Sequence, residues 1–135
     1  MRHWAGSLVP VVLLAVALLG MTGPSVGQQR WAAIDPNSEG SSPVVWGANE
    51  DEARQRAVAA CKRVSRTCAN GPASTSDMRE LFALMCCMQP KLACAVSAAG
   101  TRREAAKGAQ QMLAGAGYED CSVRHYMSAG TGKRQ

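Results

Sequence analysis

Six cysteines, Cys61, Cys68, Cys86, Cys87, Cys94 and Cys121, all fall after the first sixty positions of a 135-residue chain, and two of them are adjacent. What six thiols do depends on the compartment they reach, and the first residues speak to that. A basic end (Met1, Arg2, His3) precedes an unbroken apolar run of 12 residues, Leu8 to Leu19. At about 1.5 Å per helical residue the run spans roughly 18 Å, short of the ~30 Å hydrocarbon core of a bilayer. Gly20, Gly23 and Pro24 break it, and Ser25-Val26-Gly27 places small residues where a signal peptidase cuts. Residues 1–27 therefore read as a cleavable secretory signal. The mature chain would start at Gln28 and be secreted or periplasmic, with no stable membrane insertion after cleavage.

An even cysteine count in a short exported chain argues for disulfides, because the compartment is oxidising and the core is small. Cys61, Cys68, Cys86, Cys87, Cys94 and Cys121 are all disulfide candidates. Adjacent Cα atoms sit about 3.8 Å apart while ordinary disulfides span about 4.4–6.8 Å, so Cys86 and Cys87 are expected to reach in different directions. One would go to Cys61 or Cys68 and the other to Cys94 or Cys121. Each bond should contribute about 2–4 kcal/mol.

Along the chain, Trp31 to Ile34 reads as a strand, Asp35 to Pro43 as a turn-rich exposed loop, and Val44 to Trp46 as the return strand of a hairpin. Asn49 and Glu52 form a capping-box pair ahead of a stripe of Ala53, Ala57, Cys61 and Val64, which predicts a helix. Cys68 to Ser76 reads as a loop. Asp77 to Met88 reads as a second helix, capped by Ser76 or Asp77 and stopped by Pro90, although a short buried strand gives a similar apolar run. Leu92 to Ser97 reads as a buried strand. Thr101 and Glu104 cap a further helix with the stripe Ala105, Ala109, Met112 and Ala116, and Cys121 to Met127 alternates like an edge or half-buried strand. Residues 28–127 make one domain, and residues 128–135 read as a flexible C-terminal tail.

Asn49-Glu-Asp-Glu-Ala53 and Thr101-Arg-Arg-Glu-Ala105 open their helices alike, and each leads to a cysteine at nearly the same offset. That pattern points to a degenerate duplicated strand–helix–loop–cysteine unit. The expected class is α+β: a small antiparallel sheet with two or three helices packed on one face, stapled by disulfides.

Trp31-Ala-Ala-Ile34, Trp46-Gly-Ala-Asn49 and the helix ending in Ala60-Cys61 resemble exported bacterial proteins of the family called domain of unknown function 4189. Ala93-Cys94-Ala95-Val96 and Arg103-Glu104-Ala105-Ala106 fill the later slots of that pattern. The resemblance covers about residues 31–123 and implies an α+β fold without assigning an activity. It also implies a strand near residues 75–89, where the local pattern reads helical.

Chemistry is sparse. Loss of the signal removes one charged residue, Arg2, and lowers the net charge from +5 to +4. No basic stripe interleaves with aromatics, so nucleic acid is not an expected partner. His125 is the one histidine of the mature chain, and a Cys–His nucleophile pair needs a free thiolate. Glu50, Asp51 and Glu52 suit a helix N-terminus. Gly130-Thr131-Gly132-Lys133 lacks the strand-to-helix setting of a phosphate loop. No cofactor or metal is expected, and no catalytic group. The reading is a non-enzymatic binding domain for a protein or envelope component. Its expected contact surface is the 35–43 loop with Asp35, Asn37 and Glu39, together with Trp46 and the basic strand of Arg124, His125 and Tyr126. Insertion of the loop into a hydrolase is one route to such binding. The alternative is a redox or copper protein built on Cys86 and Cys87, with Met78, Met85 and Met88 as neighbouring soft ligands.

Overall fold

A computed structural model describes residues 30–38, 44–68 and 71–135. The signal segment and its cut, residues 39–43 and residues 69–70 lie outside that range. Leu81–Gln89 (β4) is the centre of the fold, and its two faces organise everything around it. Side chains alternate along a strand, so Phe82, Leu84 and Cys86 point into one core while Met85 and Cys87 point into another. Burial on both faces needs apolar residues at every position. This is why a stretch with no period-2 alternation read as a helix from sequence, and the expectation of a helix over 77–88 is corrected to a strand. Asp77 stays ahead of it in a turn, its carboxylate accepting from the Arg79 backbone N–H at 3.0 Å.

β4 is flanked by Ala93–Ala99 (β5) and Glu119–Ser128 (β6), both antiparallel. A second sheet has the same plan: Trp31–Ile34 (β1) lies between Val45–Gly47 (β2) and Ala73–Thr75 (β3). Between the second and third strands of each sheet runs a helix, Glu50–Lys62 (α1) in one and Arg102–Gly115 (α2) in the other. The expected α+β class is what the chain adopts, with the strands divided between two sheets and one helix to each.

The two β-β-α-β units match in register as well as in order. Trp31 pairs with Gly47 and Leu81 with Ala99; Ala32 pairs with Thr75 and Phe82 with Met127. From the second strand onward, counterparts stand 52 positions apart (Gly47 and Ala99, Thr75 and Met127). The internal repeat expected from the helix caps is therefore present in the topology. Its cysteines, however, do not fall at matching positions: the offset of 52 carries Cys68 onto Asp120, one residue short of Cys121.

The sheets face each other. Ala32, Ile34 and Val44 from the first unit pack with Phe82, Leu84, Cys86, Val96 and Met127 from the second. α1 covers the outer face of its sheet through Ala53 and Ala57 on Ala33, and α2 covers the other through Ala109 and Leu113 on Met85, Cys87 and Ala95. Small residues let α1 approach closely: a Cβ on Gly47 would lie 2.6 Å from the Ala53 nitrogen. The expected caps form. Asn49 Oδ1 accepts from the Glu52 N–H at 2.8 Å and Thr101 Oγ1 from the Glu104 N–H at 3.2 Å. Three stripe positions differ from expectation. Val64 and Ala116 lie past the ends of α1 and α2, and Met112 faces out while Leu113 is buried.

Two further expectations are corrected. The 68–76 loop contains β3, whose Ala-Ser-Thr sequence carries too little apolar alternation to be seen in isolation. Residues 128–135 fold back beside β6 in place of a flexible tail. The Ser128 N–H donates to the Lys133 carbonyl at 2.9 Å, the Gln135 N–H to the Tyr126 carbonyl at 2.9 Å, and Ala129 is fully buried. The return gives β6 a partner along part of an edge that β4 leaves unpaired.

Candidate functional site

Alternation along β4 decides the disulfides. Cys86 and Cys87 point to opposite faces, and each bonds to the residue directly across from it on a neighbouring strand. Cys86 bonds to Cys94 on β5 and Cys87 to Cys121 on β6, while Cys61 bonds to Cys68 just beyond α1. All six cysteines are bonded. The expectation that the adjacent pair diverges is correct. The expected link from one of them to Cys61 or Cys68 is not formed, because those two lie at the end of α1 in the other unit.

The same alternation separates the sulfur atoms that a copper site would need. Met85 packs under α2, Met88 stands on the opposite side of β4, and Met78 packs against the inter-sheet core. A helical reading would have gathered all three on one face; the strand puts Met85 on the face opposite the other two.

β6 carries the departure that builds a pocket. Leu84 pairs with His125 but Met85 pairs with Val123, so Arg124 is an extra residue, a β-bulge. Consecutive residues of a regular strand point to opposite faces. At the bulge, Arg124 and His125 instead line one pocket of about 310 Å³ together with Cys86 and Leu92. The Cys86–Cys94 disulfide forms part of its wall. Burial lowers the His125 pKa below the ordinary histidine value, and the positive charges of Arg134 and Arg124 lower it further. The Arg124 guanidinium forms no ion pair among the described residues, and its Nη2 rests 3.8 Å from the Met88 sulfur, a weak acceptor.

The remaining expected contact residues do not converge there. Tyr126 pairs with Ala83 and lies beneath the Arg102 guanidinium, 5.3 Å from its ring centroid, at the start of α2. Trp46 belongs to the other sheet, where its Nε1 donates to the Ala129 carbonyl at 2.8 Å and the Arg30 guanidinium covers its ring at 4.5 Å. Asp35 is completely buried and its Oδ1 accepts from the Asn37 N–H at 2.9 Å, so it shapes the start of the loop and offers no contact surface. Asn37 is half-buried within the 3-10 turn Pro36–Ser38, and Glu39 lies outside the described residues. Sequence reasoning missed Cys86 and Leu92 as neighbours of His125. The signal that could have shown it is the break in phase within β6, where Val123 and Met127 both need burial but on opposite faces.

Comparison with known protein families, curated proteins and solved structures gives no match. The described residues contain no helix long and apolar enough to cross a membrane, and no cluster of three His, Cys, Asp or Glu side chains that could hold a metal ion.

Proposed function

We propose that the chain is an exported domain, secreted or periplasmic, that works by binding a protein or envelope component and carries no enzyme chemistry. The observation that supports this most directly is the use of all six thiols in three disulfides. A reducing cytosol would not keep such bonds, and bonded sulfurs are neither nucleophiles nor soft metal ligands. The scaffold they staple is rigid and presents a cationic concave site beside an exposed hairpin end, the arrangement through which small stapled domains bind. Membership of the family named domain of unknown function 4189 is consistent with this and is part of the proposal.

The test is intact-mass and thiol analysis of protein recovered from the producing cell without reductant. The expected result is a chain beginning at Gln28 with no alkylatable cysteine. Retention of Met1 with two or more free thiols would overturn the reading and restore a redox role for Cys86 and Cys87. Crosslinking to envelope extract should then recover a partner with the native domain and not with its reduced, unfolded form.

A further inference from the structure

From the pocket at the Arg124 bulge we infer a binding site for a small organic carboxylate, a single negative charge on a short apolar body. The inference rests on the binding-domain reading above and says which chemistry the site recognises. Arg124 supplies a planar guanidinium that has no carboxylate partner among the described residues, and such a group binds one carboxylate through two parallel hydrogen bonds. His125 beside it is held neutral by burial and by its cationic neighbours Arg134 and Arg124, so it offers a hydrogen bond without a second full charge. The rest of the surroundings suit an apolar body. The Cys86–Cys94 disulfide walls the pocket, Leu92 lines it while remaining 46% exposed, and Met88, 49% exposed, lies against Arg124. Together they give a ligand's hydrocarbon an apolar surface to cover, and that burial favours binding. A volume of about 310 Å³ is at the small end of ligand pockets, which start at about 300 Å³.

The bulge is the device that makes the site. Without it Arg124 and His125 would face opposite sides of β6 and could not act on one anion.

Hexanoate, with hexanamide as its neutral counterpart of the same shape, tests the inference in the disulfide-intact mature protein. Binding is followed by NMR through the His125 ring resonances across a pH series. Hexanoate should saturate a single site, shift the His125 signals and raise the pKa of His125, because a bound anion favours the imidazolium. Hexanamide should bind at least about tenfold more weakly, and Arg124→Gln should weaken hexanoate by about tenfold or more, the loss of one charge-assisted pair. Arg103→Gln, on the exposed start of α2, should leave it unchanged. Equal binding of the acid and the amide, or full hexanoate affinity in folded Arg124→Gln, would overturn the inference. That failure is separable from failure of the binding-domain reading: a captured envelope partner with no carboxylate binding removes only the pocket, and carboxylate binding by a thiol-bearing cytosolic protein removes only the export reading.

Discussion

Met78 and Gly130 touch: a Cβ on Gly130 would lie 2.7 Å from the Met78 carbonyl oxygen. They are also counterparts, each three residues past the matching positions Thr75 and Met127 in the third strands of their units. Counterparts can meet only near the axis that relates two repeats, so this contact marks where the units close on each other. A methyl group there has backbone on the other side and nowhere to go. Gly130→Ala should destabilise the fold by about 1–3 kcal/mol, read as a drop in Tm. Gly115→Ala, in open space at the end of α2, should be neutral or stabilising by up to about 1 kcal/mol. Equal behaviour of the two variants would count against a close seam.

The three disulfides should not be worth the same. Cys87–Cys121 closes a separation of 34 residues, whereas Cys86–Cys94 and Cys61–Cys68 close 8 and 7. The chain-entropy relation assigns about 4 kcal/mol to the first and about 2.5 kcal/mol to each of the others. Paired Cys→Ala variants, compared by urea denaturation, should rank in that order.

Deleting Arg124 should leave the disulfides intact. Leu84 and Met85 are neighbours on β4 and pair with His125 and Val123, so Arg124 is the one residue of β6 without a place in the ladder. A β6 lacking it would continue the same pairing as a regular strand, with Cys121 and Val123 still facing α2 and Met127 still in the inter-sheet core. Alkylation and peptide mapping should find no free thiol in this variant. Free thiols at Cys87 and Cys121 would refute the assignment of Arg124 as the extra residue.

His125 links stability to acid. Burial and the charges of Arg134 and Arg124 depress its pKa in the folded state below the unfolded value near 6.5. The unfolded chain therefore binds the proton more readily. The contribution of neutral His125 is fully present above about pH 6.5 and is lost as pH falls through the folded value. Melting curves of the native chain and His125→Gln should converge, or cross in favour of the variant, between pH 7.5 and pH 5.5. A constant gap would indicate that the ring is solvated.

Ending the chain at Ser128 should be costly. It removes the Ala129 carbonyl that accepts from Trp46 Nε1 and the strand-like return along β6. Loss of a buried partner costs about 1–3 kcal/mol, with Trp46 fluorescence shifting to the red. A frayed tail would leave Tm unchanged.

Local signals were legible where one residue's chemistry sufficed. Asn49 and Thr101 announce their helices because a short polar side chain is what an unsatisfied helix N-terminus needs, and Trp31 to Ile34 and Leu92 to Ser97 read as strands from composition and punctuation alone. Leu81 to Gln89 was misread because burial on both faces erases the periodicity that distinguishes strand from helix. β3 was invisible because three small residues become a strand only when β1 is beside them.

What the amino-acid sequence determined by itself was the α+β class, the twin helix caps, the export signal as an expectation, and the divergence of Cys86 from Cys87. The last follows from adjacency, since neighbouring residues of a strand point to opposite faces. Which cysteine each one reaches, and which side chains meet at His125, was decided by tertiary structure. Direct opposition across β4 selects Cys94 and Cys121, and one extra residue in β6 brings Arg124 and His125 to the same side. Pairing register is a property of two strands together, and neither strand carries it alone.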